Sequence, residues 1–246
     1  MFFALQEKLS RKFDKLLPDS LSLDGGDDFR KNIIPFYLQE GITVYDIGGG
    51  KNPLLSIADK QKMQICVVGF DIDEEELNAA PADAYDETIC ANIQNFSGKE
   101  NADLILCCTV MEHVKSAEEA FKGLHSILKN GGKAVIFLPS KYAAFARLNL
   151  LLPEDLKNKL LGYFFGVNAH NQGFPAYYDK ASLKDYRKLA PKYGFKIIQF
   201  KPYYHSVYFI HFLPIHIIWR IWIMLFKFFS PNTAAETFTI VLEKNN

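Results

Sequence analysis

The chain has 246 residues, with 28 Lys and Arg against 28 Asp and Glu, six His and four Cys, and it is 49% hydrophobic and 23% charged. That balance excludes a disordered, collagenous or coiled-coil chain. A net formal charge of zero speaks against a nucleic-acid partner, whose binders carry a basic excess. The cysteines, Cys66, Cys90, Cys107 and Cys108, stand among apolar residues without CxxC spacing. They read as reduced core residues of a cytosolic protein, and no metal site is expected.

The first 40 residues open on MFFALQEKLSRKFDKLL, which has no small-residue cleavage site and predicts a helical cap rather than a signal peptide. From residue 42 short apolar runs alternate with helical stretches. The runs 42–47 (ITVYDI), 64–70 (QICVVGF), 103–108 (DLILCC) and 133–138 (KAVIFL) predict strands buried on both faces, as in a parallel sheet. A helix is expected over 116–129, with Ser116 and Glu119 at capping-box spacing and Gly131-Gly132 as its stop. Another is expected over 180–193, ended by Gly194. The alternation predicts an α/β fold with a doubly wound sheet in a single domain spanning 1–246. Strands near 195–201 and 237–243 are separated by a long insertion without a β-α-β rhythm, so they are expected to form an antiparallel pair. Two insertions interrupt the rhythm: 140–179, expected as a lid, and 202–236, the most apolar part of the chain.

Strand 42–47 runs into VYDIGGGKNP. Gly48, Gly49 and Gly50 permit a sharp turn and a close approach to a ligand. Asn52 as N-cap and Pro53 at N1 predict a helix start, whose free N–H groups attract anions. A P-loop does not fit, because Asn52 follows Lys51 and no glycine stands five residues before Gly50. A dinucleotide loop does not fit either: Pro53 occupies the third glycine position of G-x-G-x-x-G, and Asp46 would face a pyrophosphate. S-Adenosylmethionine offers an ammonium and a sulfonium to Asp46 and a carboxylate to the helix start, and it suits the loop best. Asp71 ends the next strand, 21 residues after Gly50, about where a carboxylate binds a ribose diol in such folds.

The segments VYDIGGG at 44–50, VVGFDID at 67–73, ICANIQNF at 89–96, ADLILCCTVMEHV at 102–114 and GGKAVIFLP at 131–139 resemble the class I S-adenosylmethionine-dependent methyltransferases. DLILCCTVMEHV is similar to the small-molecule O-methyltransferases among them. The resemblance covers about residues 40–140. It implies a Rossmann-like seven-stranded sheet of order 3-2-1-4-5-7-6 with an antiparallel last strand, and a cofactor at the carboxyl ends of the first four strands. It further implies that Asp46, Gly48, Gly49 and Gly50 hold the methionine part and that Asp71 and Ile72 hold the ribose. Asn92 and Ile93 would flank the adenine, and Cys108 and Thr109 would line the floor. The sequence departs from the family at Asn52, where a third glycine is usual, and at Asn92, where an acid is usual; both side chains can still hydrogen-bond.

Methyl transfer to a hydroxyl needs an oriented acceptor and a group that takes its proton near neutral pH, for which histidine is suited. His113 follows strand 103–108 at the expected cofactor edge, and His170 sits in the polar turn VNAHNQGFPAYYD of the lid. Either is a candidate base, against the plainer readings of a backbone-bonded histidine at a helix start and a surface turn. Tyr177 and Tyr178 are candidates to stack on a substrate. His205, His211 and His216 form no metal-ligand cluster and read as interface residues.

Pro202 to Trp219 is a run of 18 residues without a formal charge, at the lower limit for a membrane span. A helix over 215–229 would be about 22 Å long, short of a hydrocarbon core of about 30 Å, and the chain must return for strand 237–243. An interfacial helix fits, with Trp219 and Trp222 at headgroup depth and a His216–Arg220–Lys227 stripe toward anionic lipid. A helix packed into its own domain and a dimer interface are the competing readings. The expectation is a cytoplasmic methyltransferase, peripheral to the membrane through 207–229, acting on an amphiphilic, lipid-linked or sugar-containing small molecule. A non-catalytic scaffold with this fold and an NAD-dependent dehydrogenase are the alternatives.

Overall fold

A computed structural model describes residues 2–153, 174–206 and 209–245. The chain opens with helix α1 (Phe2–Asp14) and a series of short helical turns over residues 19–37. There follow β1 (Thr43–Ile47), α2 (Ile57–Lys62), β2 (Cys66–Asp71), α3 (Glu74–Asn78), β3 (Glu87–Cys90) and β4 (Ala102–Cys108). Then come α4 (Ala117–Ile127), β5 (Leu128–Pro139), α5 (Ala144–Leu151), α6 (Leu183–Lys192), β6 (Phe195–Tyr203), α7 (Leu213–Phe229) and β7 (Thr237–Lys244).

The seven strands form one sheet in the order β3-β2-β1-β4-β5-β7-β6. The first five are parallel to one another, and β7 lies antiparallel between β5 and β6. This is the sheet implied by the resemblance. The apolar runs are explained by burial from both sides. One face of the sheet, including Ile47, Ile105 and Ile136, packs on Phe121, Leu124 and Tyr186 of α4 and α6. The other, including Val44, Leu106 and Val135, packs on Phe29, Ile33 and Ile34 of the N-terminal turns. Strand β3 is one edge of the sheet and its residues are largely exposed, so its sequence ETIC lacks the apolar signature of the inner strands. Cys90 at its end and Cys66 at the start of β2 are exposed rather than in the core as expected, whereas Cys107 is buried.

Two boundaries differ from the sequence reading. Helix α4 starts where expected, with the Ser116 hydroxyl accepting from the Glu119 N–H at 3.3 Å. It ends at Ile127, and β5 begins at once with Leu128. Gly131 and Gly132 therefore do not stop the helix; they lie inside the β5 span, Gly131 at φ +76°. Helix α6 is capped by Ser182 and ends before Gly194, whose φ of +74° suits a chain reversal.

Helix α7 is the helix expected in the apolar insertion, but turned about its axis from the orientation proposed for a basic stripe facing lipid. His216 and Arg220 are wholly buried. Asp14, at the end of α1, ion-pairs with Arg220 Nε at 2.9 Å and is hydrogen-bonded to His216 Nε2 at 3.0 Å. Arg220 also donates to the carbonyls of Tyr204 and Leu21, and Lys227 donates to Ser20. Trp219, expected at headgroup depth, is buried and donates to Glu236 at 3.3 Å. His216 is thus a core residue of this chain and not an interface residue. The reason lies outside the helix: a charge is buried where a partner meets it, and the partners come from residues 14–21 and 204. What α7 exposes is its apolar side, with Ile215, Ile218, Ile221, Trp222, Leu225, Phe228 and Phe229. Among the described residues, no helix is long and apolar enough to cross a membrane.

Burial raises the Asp14 carboxyl, but the His216 hydrogen bond and the Arg220 charge outweigh it, and Asp14 stays below the ordinary aspartate value. Asp14→Ala leaves Arg220 and His216 buried without their carboxylate and is expected to cost about 3–5 kcal/mol of unfolding free energy, measured by urea denaturation. Ile218→Ser, on the exposed side, should shift it by no more than about 0.5 kcal/mol.

Candidate active site

The carboxyl ends of β1, β2 and β4 meet at the glycine loop. Gly48 donates its N–H to the Phe70 carbonyl at 2.7 Å and has φ +74°. A β-carbon there would stand 2.1 Å from Val110 Cγ2, so both the backbone conformation and the close approach of the β4 loop require glycine. The helix start expected at Asn52 and Pro53 is absent. Asn52 closes a turn onto the Gly49 carbonyl, and α2 begins at Ile57 with Ser56 as its N-cap. The N–H of Leu54 instead donates to Asp46 Oδ2 at 2.8 Å. A buried carboxylate claims a free N–H more strongly than a short helix would, and residues 51–55 stay irregular.

Asp46 is completely buried, paired in register with Gly69 of β2 and Leu106 of β4. Its Oδ1 has no hydrogen-bond partner among the described residues. Burial pushes the Asp46 carboxyl up to about 7, against the Leu54 hydrogen bond and with the Asp71 charge adding to the rise. Asp71, at the end of β2, accepts from the Asp73 N–H at 3.1 Å and is also raised, chiefly by burial.

Beside this loop lies a cavity of about 550 Å³, within the size range of small-molecule sites. Of the residues anticipated from sequence, Gly48, Asp71, Ile72, Asn92, Ile93, Thr109 and His113 line it together. Asp46, Gly49, Gly50 and Cys108 do not reach its wall. Asp46 lies beneath the loop, Gly49 packs on Asp46, Gly50 faces Asp71 and Glu76, and Cys108 packs on the opposite face of the sheet, 3.9 Å from Arg30 Nη2. Asn92 accepts from Gln94 N at 2.9 Å as the cap of a short 3-10 turn, which leaves its amide N–H₂ for a ligand. Tyr177 lines the cavity with Lys115 5.8 Å from its ring, whereas Tyr178 is buried. His170 lies outside the described residues, as does the 154–173 part of the expected lid.

His113 is held by its Nδ1, 3.0 Å from the Pro175 carbonyl. That carbonyl can only accept, so Nδ1 is the donor of this contact, and in the neutral ring Nε2, 3.9 Å from Glu112 Oε1, is the nitrogen with the lone pair. The same contact fastens the 174–179 segment over the site. Tyr177 and Tyr178 both donate their N–H to the Glu112 carbonyl, and Asp179 accepts from the Ala117 N–H. Glu112 itself is buried, and burial pushes its carboxyl up to about 8. Four wall residues were not assigned a role from sequence: Phe70, Val110 and Pro175, which lie inside the quoted segments, and Lys115, just beyond one. Two residues behind the wall were also missed, Arg30 and Tyr85. The mid-strand glycine Gly69 was the signal for Tyr85, because glycine inside a strand marks a close approach.

A family model described as a methyltransferase domain matches residues 6–199. No curated protein matches the chain. Among solved structures, phosphoethanolamine N-methyltransferase 2 of Haemonchus contortus, in complex with S-adenosyl-L-methionine, aligns with a TM-score of 0.58 at 16% identity, over 98% of this chain and 57% of that one. The chain thus spans little more than half the length of that enzyme. A SAM-dependent methyltransferase of Methanosarcina mazei aligns at 0.55 and 16% identity, over 87% of this chain and 97% of its own. The [4+2]-cyclase SpnF aligns at 0.55 and 11% identity, over 98% and 97%. Likeness at this distance establishes the fold, and the fold alone carries more than one chemistry.

A raised carboxyl makes a signed contribution to stability. Asp46 keeps its proton when folded up to about pH 7 but loses it near pH 4 when unfolded. Its contribution is therefore full below pH 4 and is lost as pH rises through 7, at a slope approaching 1.4 kcal/mol per pH unit. Asp46→Asn is expected to flatten that decline between pH 4.5 and 7, read from denaturation midpoints across the range.

Proposed function

The chain belongs to the methyltransferase-domain family, and from that premise we propose that it transfers the methyl group of S-adenosylmethionine to a hydroxyl of an amphiphilic, lipid-linked or sugar-containing small molecule. The observation that carries this reading is the cavity in which Gly48, Asp71, Asn92 and His113 converge. The residues suit the cofactor. Asp71 presents a carboxylate to a vicinal diol at the end of β2, and Ile93 and Phe70 offer apolar walls to a base. The unpartnered Oδ1 of Asp46 lies under the loop, where an ionised carboxylate favours a cationic ligand. With no helix start at the loop, Arg30 is the cation close enough to Asp46 to lower its pKa, and we assign it to the methionine carboxylate.

When bound, the cofactor supplies an electrophilic methyl carbon on a sulfonium. The remaining work belongs to the chain. His113 Nε2 accepts the hydroxyl proton as the oxygen takes the methyl group, and the Pro175 carbonyl stabilises the imidazolium through Nδ1–H. The segment 174–179 closes one side of the cavity and limits water. The amphiphilic acceptor is supported by α7, whose outward arc of roughly 140°, at 100° per residue, runs from Ile215 to Phe229 without a polar or charged side chain other than the Trp222 indole. We read it as a face that lies on lipid and holds the enzyme at a cytoplasmic membrane surface, in keeping with four unpaired thiols.

Calorimetry with S-adenosylhomocysteine should show binding without competition from NAD, and Asp71→Ala should weaken it by about 1.5–3 kcal/mol. With methyl-labelled donor and a lipid extract as acceptor, His113→Ala should lower label transfer roughly 10²–10⁴-fold while homocysteine-product binding is retained. Unchanged transfer would remove His113 from the chemistry. Because the outer arc of α7 carries no charge, flotation with vesicles should recover the chain equally from neutral and anionic lipid and resist salt. Replacement of Trp222, Leu225 and Phe228 by Ser should abolish it; a chain that floats with no lipid refutes the membrane reading.

A further inference from the structure

We infer that Tyr85 is a positioning residue of the cofactor loop: its hydroxyl holds the Gly50 carbonyl beside the buried Asp46 carboxylate and so sets the shape in which the loop meets its ligand. The inference rests on the cofactor reading above and adds to it a residue that no motif names.

Tyr85 belongs to the connection between α3 and β3, far from the loop in sequence. The connection is pinned to the start of β2. Asp86 donates its N–H to the Val67 carbonyl at 2.8 Å, and the Val67 N–H donates back to Asp86 Oδ2 at 2.7 Å. From there the Tyr85 side chain runs along β2 toward its carboxyl end. It lies so close to the strand that a β-carbon on Gly69 would meet Tyr85 Cδ2 at 2.5 Å. A glycine in a central strand costs conformational entropy and packing, and here it makes room for the ring. The hydroxyl at the far end donates to the Gly50 carbonyl at 2.9 Å. It also crowds the loop from below: a β-carbon on Gly49 would stand 2.5 Å from both Tyr85 Oη and Asp46 Oδ2.

Three groups thus meet under the glycines, and only one of them carries a proton that it keeps at any working pH. Burial and the Asp46 and Asp71 charges raise the Tyr85 phenol far above its ordinary value, so Tyr85 is a donor and never an acceptor anion. The phenol, whose single proton either the Gly50 carbonyl or the Asp46 carboxylate can take, acts with the Leu54 N–H against the burial that drives Asp46 to hold a proton. The other groups facing Asp46 are Asp71 at the end of β2, which raises it, and Arg30 from the N-terminal turns, which lowers it. Cys107 and Cys108 of β4 are themselves raised by burial and stay neutral. Removing the phenol hydroxyl therefore has two effects of distinct kind. It frees the Gly50 carbonyl, which loosens the loop before ligand arrives, and it shifts Asp46 toward its protonated form, which weakens attraction to a cationic ligand.

The test is S-adenosylhomocysteine affinity by calorimetry from pH 5.5 to 8.5 for wild type, Tyr85→Phe, Asp46→Asn and the double variant. Phenylalanine keeps the ring on Gly69, so the strand packing is retained. Wild-type affinity should rise with pH through about 7 as Asp46 ionises. Tyr85→Phe should bind about three- to tenfold more weakly at pH 8, and its midpoint should move to higher pH. Asp46→Asn should erase the midpoint. In the double variant the two losses should fall short of their sum, because Tyr85 acts through Asp46. A Tyr85→Phe chain with wild-type affinity and midpoint, or one weakened equally at every pH with additive losses, overturns the inference. A wild-type chain that binds no S-adenosylhomocysteine at any pH overturns the cofactor reading, and the inference falls with it. Should Tyr85→Phe not fold, the Asp46→Asn profile decides: an unaltered midpoint there overturns the coupling.

Discussion

Asp46 is fully buried between β2 and β4, and the shape of the carboxyl edge follows from making that burial tolerable. An isolated carboxylate in such a place is costly enough to keep its proton or to recruit donors, and this one does both. It takes the Leu54 N–H, which holds 51–55 out of a helix. It stands against the Tyr85 hydroxyl, which in turn holds the Gly50 carbonyl. The glycines are needed because the loop must pass between these groups and the β4 loop at Val110 with no room for a side chain. One oxygen is left without a hydrogen-bond partner among the described residues, beneath the loop that borders the cavity. Site and strain are thus the same feature seen from two sides.

The same rule explains the opposite end of the molecule. Helix α7 is apolar on nearly every side, yet His216 and Arg220 turn inward, where Asp14 meets both and two backbone carbonyls complete Arg220. The exposed arc is what remains. On the membrane reading proposed above, such an arc would be held by apolar area, with little contribution from charge. The membrane reading thereby changes character, from electrostatic attraction through α7 to apolar insertion.

The sheet was legible because its strands are buried from both sides and read as unbroken apolar runs. Edge strand β3 escaped the pattern through exposure. Capping at Ser116 was legible because a hydroxyl followed by an acid three residues on is a local signal. The same signal at Ser182 was passed over and that helix expected from 180, and the caps Asn52 and Ser56 are distinguished by a contact to Asp46 from elsewhere in the fold. The helical wheel of α7 located its His216–Arg220–Lys227 stripe correctly but gave it the wrong direction, since a wheel shows which residues share a face and not what that face meets. His113 was found by its place after β4; its orienting partner, the Pro175 carbonyl, lies 62 residues away and has no sequence signature. Neighbours that share this fold while doing different chemistry, a methyltransferase and a cyclase, show why the argument for function has to rest on the cavity.

The most direct test of that argument is a crystal structure of the chain with S-adenosylhomocysteine. The account requires the ligand in the cavity lined by Gly48, Asn92 and His113, its ribose hydroxyls within hydrogen-bond distance of the Asp71 carboxylate and its sulfur on the side of His113. A ligand bound elsewhere on the chain, or one whose ribose turns away from Asp71, contradicts it.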